Sequence, residues 1–511
     1  MRSGKLNKIS RLRNSRNEWK VKAVLRSTTL RDQRKKLSRL QKQHDVCRRK
    51  LTERISFLEC ENAALRSTGP SPLPAVIHRG SFDRRRTACV MMVIEGTVSF
   101  RSVPRIWGVL KQLGWVQIQI PHFTSVIHWT LRAGMTLFNA VGPTDEPWMA
   151  ILDCSIDIGT RKALVVLRVP LSALHQKQGA IGLQDCQCIG LKISPCWNGT
   201  LVQEALVDIF GKAGMPQAIL KDGGSDIKSG VERYKETQNA PSVQVIEDVG
   251  HVAANALKAE FSKQSAFVKF VEIVRKGASR IRQTDWAWLL PPKIRTKGRF
   301  QGITKLAEWA GQLLNIMGGS GPFKKGSNVG ILRKAFRGLS PLRLFLDQFC
   351  ATCHVTEQLL KLLKVKGLNQ ATSSEAKTIL KQLPQGSQVR NRLLSWIDRH
   401  LTIQRQLAIG QLPLLVSSDV IESLFGTFKT IVQRNPQAEL NRLVYIIPLL
   451  CGKHTSTEID HALRGCSHGQ MLHQIQKTIP PTLRQQRYKI LNPDSPNKVP
   501  ETGTPARLNT G

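Results

Sequence analysis

The sequence predicts an α/β fold in which a mixed sheet is interrupted by a large all-α stretch, and three observations predict it. Apolar runs of strand length recur near 148–158, 163–169, 188–194, 216–221 and 243–247, with a helical pattern near 200–212. From about 252 to 415 the chain is rich in Leu, Lys, Arg and Gln, with helix-spaced groups such as Leu359, Leu360, Leu362 and Leu363 and few strand-like alternations. Acidic residues close two of the strands, and a third stands on an amphipathic helix beyond the helical stretch.

Taken in chain order, residues 1–70 form a basic helical arm. They carry 20 basic and 6 acidic side chains, more than a third of the excess charge in about a seventh of the chain. Leu30, Leu37, His44, Leu51, Leu58 and Leu65 recur every seven residues, the spacing that keeps one helical stripe on a partner. Their companions Arg34, Gln41, Arg48, Ile55 and Asn62 are mostly polar, so a short coiled coil and a solvated helix lying along DNA are both open. Ser67-Thr68-Gly69-Pro70-Ser71-Pro72 breaks any helix and begins a linker.

The region 71–140 is read as that linker followed by a helix-turn-helix. Its first helix runs from Ser102 to Leu113, with Pro104 in the first turn and Gly114 after it. Its second is announced by Pro121 and runs to Gly134. In such a unit the start of the second helix reads base edges, which selects His122, Thr124, Ser125, His128 and Arg132 as DNA-binding residues. Any small helical hairpin shares the pattern.

Asp153 closes Trp148-Met149-Ala150-Ile151-Leu152, and a turn around Gly159 leads to Ala163–Val169, so the two runs read as a hairpin. Asp222 follows Ala218-Ile219-Leu220 and precedes Gly223-Gly224, which stops the strand and leaves the carboxylate at its edge. Glu422 lies where Ile421, Leu424, Phe425 and Phe428 recur at helical spacing. Mg²⁺ takes oxygen ligands and keeps several waters, so one or two carboxylates per ion suffice. Two such ions can activate an attacking oxygen and stabilise a leaving one. The bland readings are turn formation by the two Asp residues and a capping box from Asp419 to Glu422. Asp157 competes with Asp153, and Asp226 with Asp222.

Composition points to the substrate. With 76 Lys plus Arg against 36 Asp plus Glu, the net charge is +40 and the pI about 10.4, an electrostatic footprint for polyanions. No apolar stretch approaches a membrane span and no apolar signal segment follows the basic N-terminus, so the expectation is a soluble cytoplasmic protein, nucleoid-associated if bacterial, with no membrane partner. The odd number of scattered cysteines, 11, reads as reduced thiols. Cys350, Cys353 and His354 have zinc-ligand spacing but no second pair nearby, so plain helix packing is the favoured reading. Trp286 and Trp288 precede Lys293, Arg295, Lys297 and Arg299; they could stack on an unpaired base, although core packing beside a solvated basic loop is the ordinary reading.

Over roughly residues 147–430 the chain resembles the transposases with an RNase H-like fold and an Asp-Asp-Glu active site. The residues that carry the resemblance are Leu152-Asp153-Cys154-Ser155, Leu220-Lys221-Asp222-Gly223-Gly224 and Asp248-Val249-Gly250-His251. The last is similar to the Cys-or-Asp, two residues, His signature of hAT-like and Mutator-like transposases, with Asp in the first place. The resemblance implies an RNase H-like core in two parts, 145–251 and 416–475, around a helical insertion, 252–415. The tail 476–511, Pro- and Asn-rich at its end, reads as disordered. It also implies catalytic, metal-holding roles for Asp153, Asp222 and Glu422, two Mg²⁺ ions with Mn²⁺ able to substitute, and a place near the active site for His251. The partners implied are element ends and target as double-stranded DNA, bound by a dimer or larger assembly of an insertion-sequence enzyme. The alternatives are a structure-specific nuclease of the same fold and an inactive transposase-derived DNA-binding protein.

Overall fold

The computed structural model describes residues 79–492, apart from 155–160, 178–180, 295–299, 301, 319–326, 408 and 433–439, together with scattered positions between 19 and 56. Residues Met1–Arg79 and Gly80–Gly511 form two separate units. In the first, Leu30, Leu37 and His44 are helical and exposed; Leu51, Leu58 and Leu65 lie outside the described residues, so the heptad is not traced further.

The second unit opens with α1 (Arg79–Ile94), α2 (Ser102–Gln112) and α3 (Phe123–Asn139). Then come β1 (Trp148–Asp153), β2 (Lys162–Pro170), α4 (Leu171–Lys177), β3 (Gln187–Ser194), α5 (Gly199–Ala213), β4 (Ala218–Lys221), α6 (Ser225–Thr237) and β5 (Gln244–Glu247). Apart from the short α4 between β2 and β3, this is the β-β-β-α-β-α-β order expected of an RNase H-like core. Strands lie in the order β3-β2-β1-β4-β5, with β1–β2 and β2–β3 antiparallel and β1–β4 and β4–β5 parallel.

Side-chain alternation divides the sheet between two cores. Trp148, Ala150, Leu152, Leu164, Val166 and Ile219 face α5 and α6, whose crossing is tight because Gly230 leaves room for Val202: a Cβ there would fall 2.4 Å from that side chain. Met149, Ile151, Val165, Ala218, Leu220 and Ile246 face the helical body.

That body comprises α7 (Val249–Phe261), α8 (Ser265–Ile281), α9 (Ile303–Gly318), α10 (Asn328–Phe336), α11 (Arg343–Lys366), α12 (Gln370–Leu380) and α13 (Gln388–Gln406). The all-α stretch expected over 252–415 is therefore helical, its centre an aromatic cluster of Phe261, Phe267, Phe270, Phe345 and Phe349. Helix α13 covers the open edge of β5. Trp396 Nε1 donates to Glu247 O at 3.2 Å, Glu247 N donates to His400 Nε2 at 3.0 Å, and Arg399 pairs with the Glu247 carboxylate at 2.7 Å. The backbone groups at the Glu247 end of this edge strand are thereby occupied within the chain.

The chain returns to the sheet with α14 (Asp419–Val432) and ends in α15 (Ser456–Gly465), α16 (His468–Thr478) and α17 (Leu483–Leu491). The tail expected to be disordered from 476 thus contains the end of α16 and all of α17. Thr482 caps α17, and Arg161 donates to Pro480 O at 2.8 Å and to Pro481 O. Among the described residues no helix is long and apolar enough to cross a membrane.

The helix-turn-helix reading needs a second correction. Helix α3 does not stop at Gly134 but continues to Asn139, and its C-terminal half is core. It packs on residues Arg442–Leu450 and on α15, within the same compact unit as the sheet. Gly134 sits where a Cβ would fall 1.8 Å from Tyr445 O, so the glycine serves a close helix contact rather than a helix end.

Candidate active site

The site is built at the C-terminal ends of the parallel strands. Leu152 lies opposite Lys221, the last pair of the β1–β4 register, so Asp153 at the end of β1 and Asp222 just past β4 fall at neighbouring strand ends. Alternation sets the direction of Asp153, which shares a face with Met149 and Ile151, the face that Ala218 and Leu220 also line. Asp153 thus belongs to the face on which α14 packs against β1. Asp153 is buried, and Asp222 turns back to accept from Gly224 N at 2.9 Å, the local bond that closes its strand.

Their shared field is registered by Cys154. Burial pushes its thiol well up, and the carboxylates of Asp153, Asp222 and Asp226 push it further, against Lys162. Asp226, the competitor of Asp222, is exposed in the first turn of α6, where a carboxylate favours the helix N-terminus in any case. Asp157 lies outside the described residues.

Glu422 occupies the first turn of α14. It makes no capping box with Asp419, whose carboxylate instead receives Lys364 Nζ at 2.6 and 2.7 Å. Although its tip reaches solvent, surrounding protein mass raises the Glu422 carboxyl above its usual range, helped by Asp419 and Asp248 and opposed by Lys364 and His251. The strongest electrostatic neighbours of Glu422 are therefore the Asp248–His251 motif and the Lys364–Asp419 pair. His251 links the two groups: a Cβ on Gly223, beside Asp222, would lie 3.4 Å from His251 Cβ and Nδ1. Among the described residues no three His, Cys, Asp or Glu side chains are gathered as a metal ion requires. Mg²⁺ needs few protein ligands, and the two carboxylates that the sheet brings to neighbouring strand ends are those of Asp153 and Asp222.

The sequence reading missed how Asp248 is used. It is buried, caps α7 by accepting from His251 N at 2.8 Å, and accepts from Ser418 N at 2.7 Å and Ser418 Oγ at 3.0 Å. The local signal for a cap was present, but the partner 170 residues away was not. Lys221 was also passed over: it is buried on the opposite sheet face, beside Glu247, and burial lowers its pKa.

The residues chosen for DNA reading occupy varied settings. His122 caps α3, its Nδ1 2.8 Å from Thr124 Oγ1, and is exposed; Thr124 and Ser125 are half-buried. The His128 ring lies 4.8 Å from that of His468. Arg132 is turned inward, donating to Leu463 O at 2.6 Å and Cys466 O at 2.5 Å, so it satisfies the carbonyl end of α15. Trp286 is half-buried and Trp288 is 68% exposed on the turn Ala287–Leu289, so core packing does not describe Trp288. Arg295, Lys297 and Arg299 lie outside the described residues. Cys350 donates to Ala307 O at 3.1 Å, its thiol pushed up to about 11 mainly by burial; Cys353 is fully buried and its thiol raised too, while His354 pairs with Gln358.

No family model matches the chain, and no curated protein matches it. Among solved structures it is similar to the Drosophila P element transposase strand transfer complex, at 12% identity and a TM-score of 0.35, over 78% of this chain and 94% of that one.

Proposed function

We propose that the protein is a DNA transposase that hydrolyses phosphodiester bonds at the ends of a mobile element and joins the freed 3′ hydroxyls to target DNA. The observation that supports this reading is that Asp153 and Asp222 come at the C-terminal ends of two adjacent parallel strands, the first of which packs against the helix that bears Glu422. Asp153 and Asp222 would hold Mg²⁺, with Mn²⁺ able to substitute, and Glu422 would complete the set. When bound, the metal supplies charge neutralisation for attacking and leaving oxygens. The carboxylates contribute a fixed anionic point in a chain of net charge +40, so the cation is drawn to one place on a surface that otherwise attracts DNA. Pairing two element ends calls for at least a dimer.

One observation favours a second reading, a DNA-binding protein without catalysis: no group of three possible metal ligands is gathered among the described residues. Mg²⁺ titration on a supercoiled plasmid carrying the element separates the two. The transposase reading expects end cleavage in the wild type, lost in Asp153→Ala, Asp222→Ala and Glu422→Ala. Cleavage that survives in Asp153→Ala, or binding without cleavage by every form, would sink it. Cleavage without joining would make the protein a nuclease of the same fold.

A further inference from the structure

We infer that Asp248 is a positioning residue, which fastens the helix bearing Glu422 to the strand that leads into Asp222. The inference rests on the catalytic reading above.

The connection is continuous in hydrogen bonds. Asp248 N donates to Lys221 O at 3.0 Å, which ties Asp248 to the residue before Asp222. Its Oδ1 takes His251 N and so fixes the first turn of α7; its Oδ2 takes both the amide and the hydroxyl of Ser418, the residue preceding α14. Val249 N donates to Val416 O at 2.9 Å, a second rung between the same segments. Glu422 lies one helical turn beyond Ser418, and α14 is a continuous helix, so slack at Ser418 becomes displacement at Glu422.

A buried carboxylate is costly unless its lone pairs are filled. Here three donors from two segments fill them, an arrangement that specifies geometry more than it adds stability. An apolar residue would cover the junction without fixing how far α14 advances. In Asp248→Asn one oxygen becomes an amide donor, which cannot accept from both the His251 and Ser418 backbone N–H groups. Ser418→Ala removes only the hydroxyl bond and keeps the amide bond.

The test combines hydrogen exchange over residues 416–422, Mn²⁺ binding by the DNA-free protein followed by electron paramagnetic resonance, and plasmid end cleavage. With circular dichroism confirming a folded protein, Asp248→Asn should accelerate exchange about tenfold or more, weaken Mn²⁺ binding, and shift the Mg²⁺ dependence of cleavage to higher concentration. Ser418→Ala should move each readout the same way by less. Unchanged exchange in folded Asp248→Asn overturns the inference, and so does accelerated exchange with unchanged Mn²⁺ affinity, which would leave only a stabilising bond. If the wild type binds Mn²⁺ no better than Asp153→Ala does, the catalytic reading itself fails and takes the positioning role with it.

Discussion

His400 shows how one side chain can tie stability to pH. Its Nδ1 lies 2.9 Å from Trp396 O and its Nε2 accepts from Glu247 N, so the ring is neutral with the proton on Nδ1. Burial lowers its pKa from 6.5 to about 4. Below pH 6.5 the unfolded chain takes up a proton that the folded chain refuses, so stability falls as pH drops and levels off once the folded ring titrates near pH 4. The expected loss across that window is about 2–3 kcal/mol, measurable by urea unfolding at pH 7, 5.5 and 4.5. His400→Gln should flatten this contribution; a wild-type profile identical to that of the variant would refute the assignment. At this same scale the candidate site was partly legible in the sequence. Asp153 and Asp222 could be picked out because each ends an apolar run, but that they fall at neighbouring strand ends comes from a parallel pairing of distant strands. The Glu422 environment was hidden, because it depends on Asp248 meeting Ser418.

At the scale of elements, local pattern served well where burial followed a simple period. The five strands and α5 fall close to where alternating and helical spacings put them, since each face of the sheet is covered and every slip would expose a core residue. Gly134 misled for a physical reason. A glycine after a helical run signals a stop, yet this one admits a carbonyl from a segment more than 300 residues away. Gly134→Ala, which should favour an isolated helix, is therefore expected to destabilise the protein by about 3 kcal/mol. Thermal unfolding decides this: a melting temperature equal to or above that of the wild type would show that α3 does not approach Tyr445 so closely. Arg132 misled similarly, because a basic residue on a predicted recognition helix looks the same in sequence whether it meets phosphate or the end of α15.

For the molecule as a whole, the net charge of +40 governs how it meets a polyanion. If six or more Lys and Arg side chains neutralise phosphates, DNA affinity should fall about a thousandfold between 50 and 200 mM salt. Fluorescence anisotropy with a labelled duplex measures the slope, and a salt-independent affinity would contradict an electrostatic interface. Composition made this property legible at once. It could not reveal that the segment beginning at residue 80 packs as one unit with the sheet rather than standing apart as a DNA-binding module.

The packing of α3 also sets an order on synthesis. Its buried face is covered by Arg442–Leu450 and α15, and Arg161 holds Pro480 and Pro481, so elements made early wait for partners made about 300 residues later. A chain emerging from the ribosome therefore carries the apolar side of α3 uncovered through the translation of more than 300 residues. Such exposure invites chaperone capture and aggregation, and chains truncated before residue 440 should suffer it permanently.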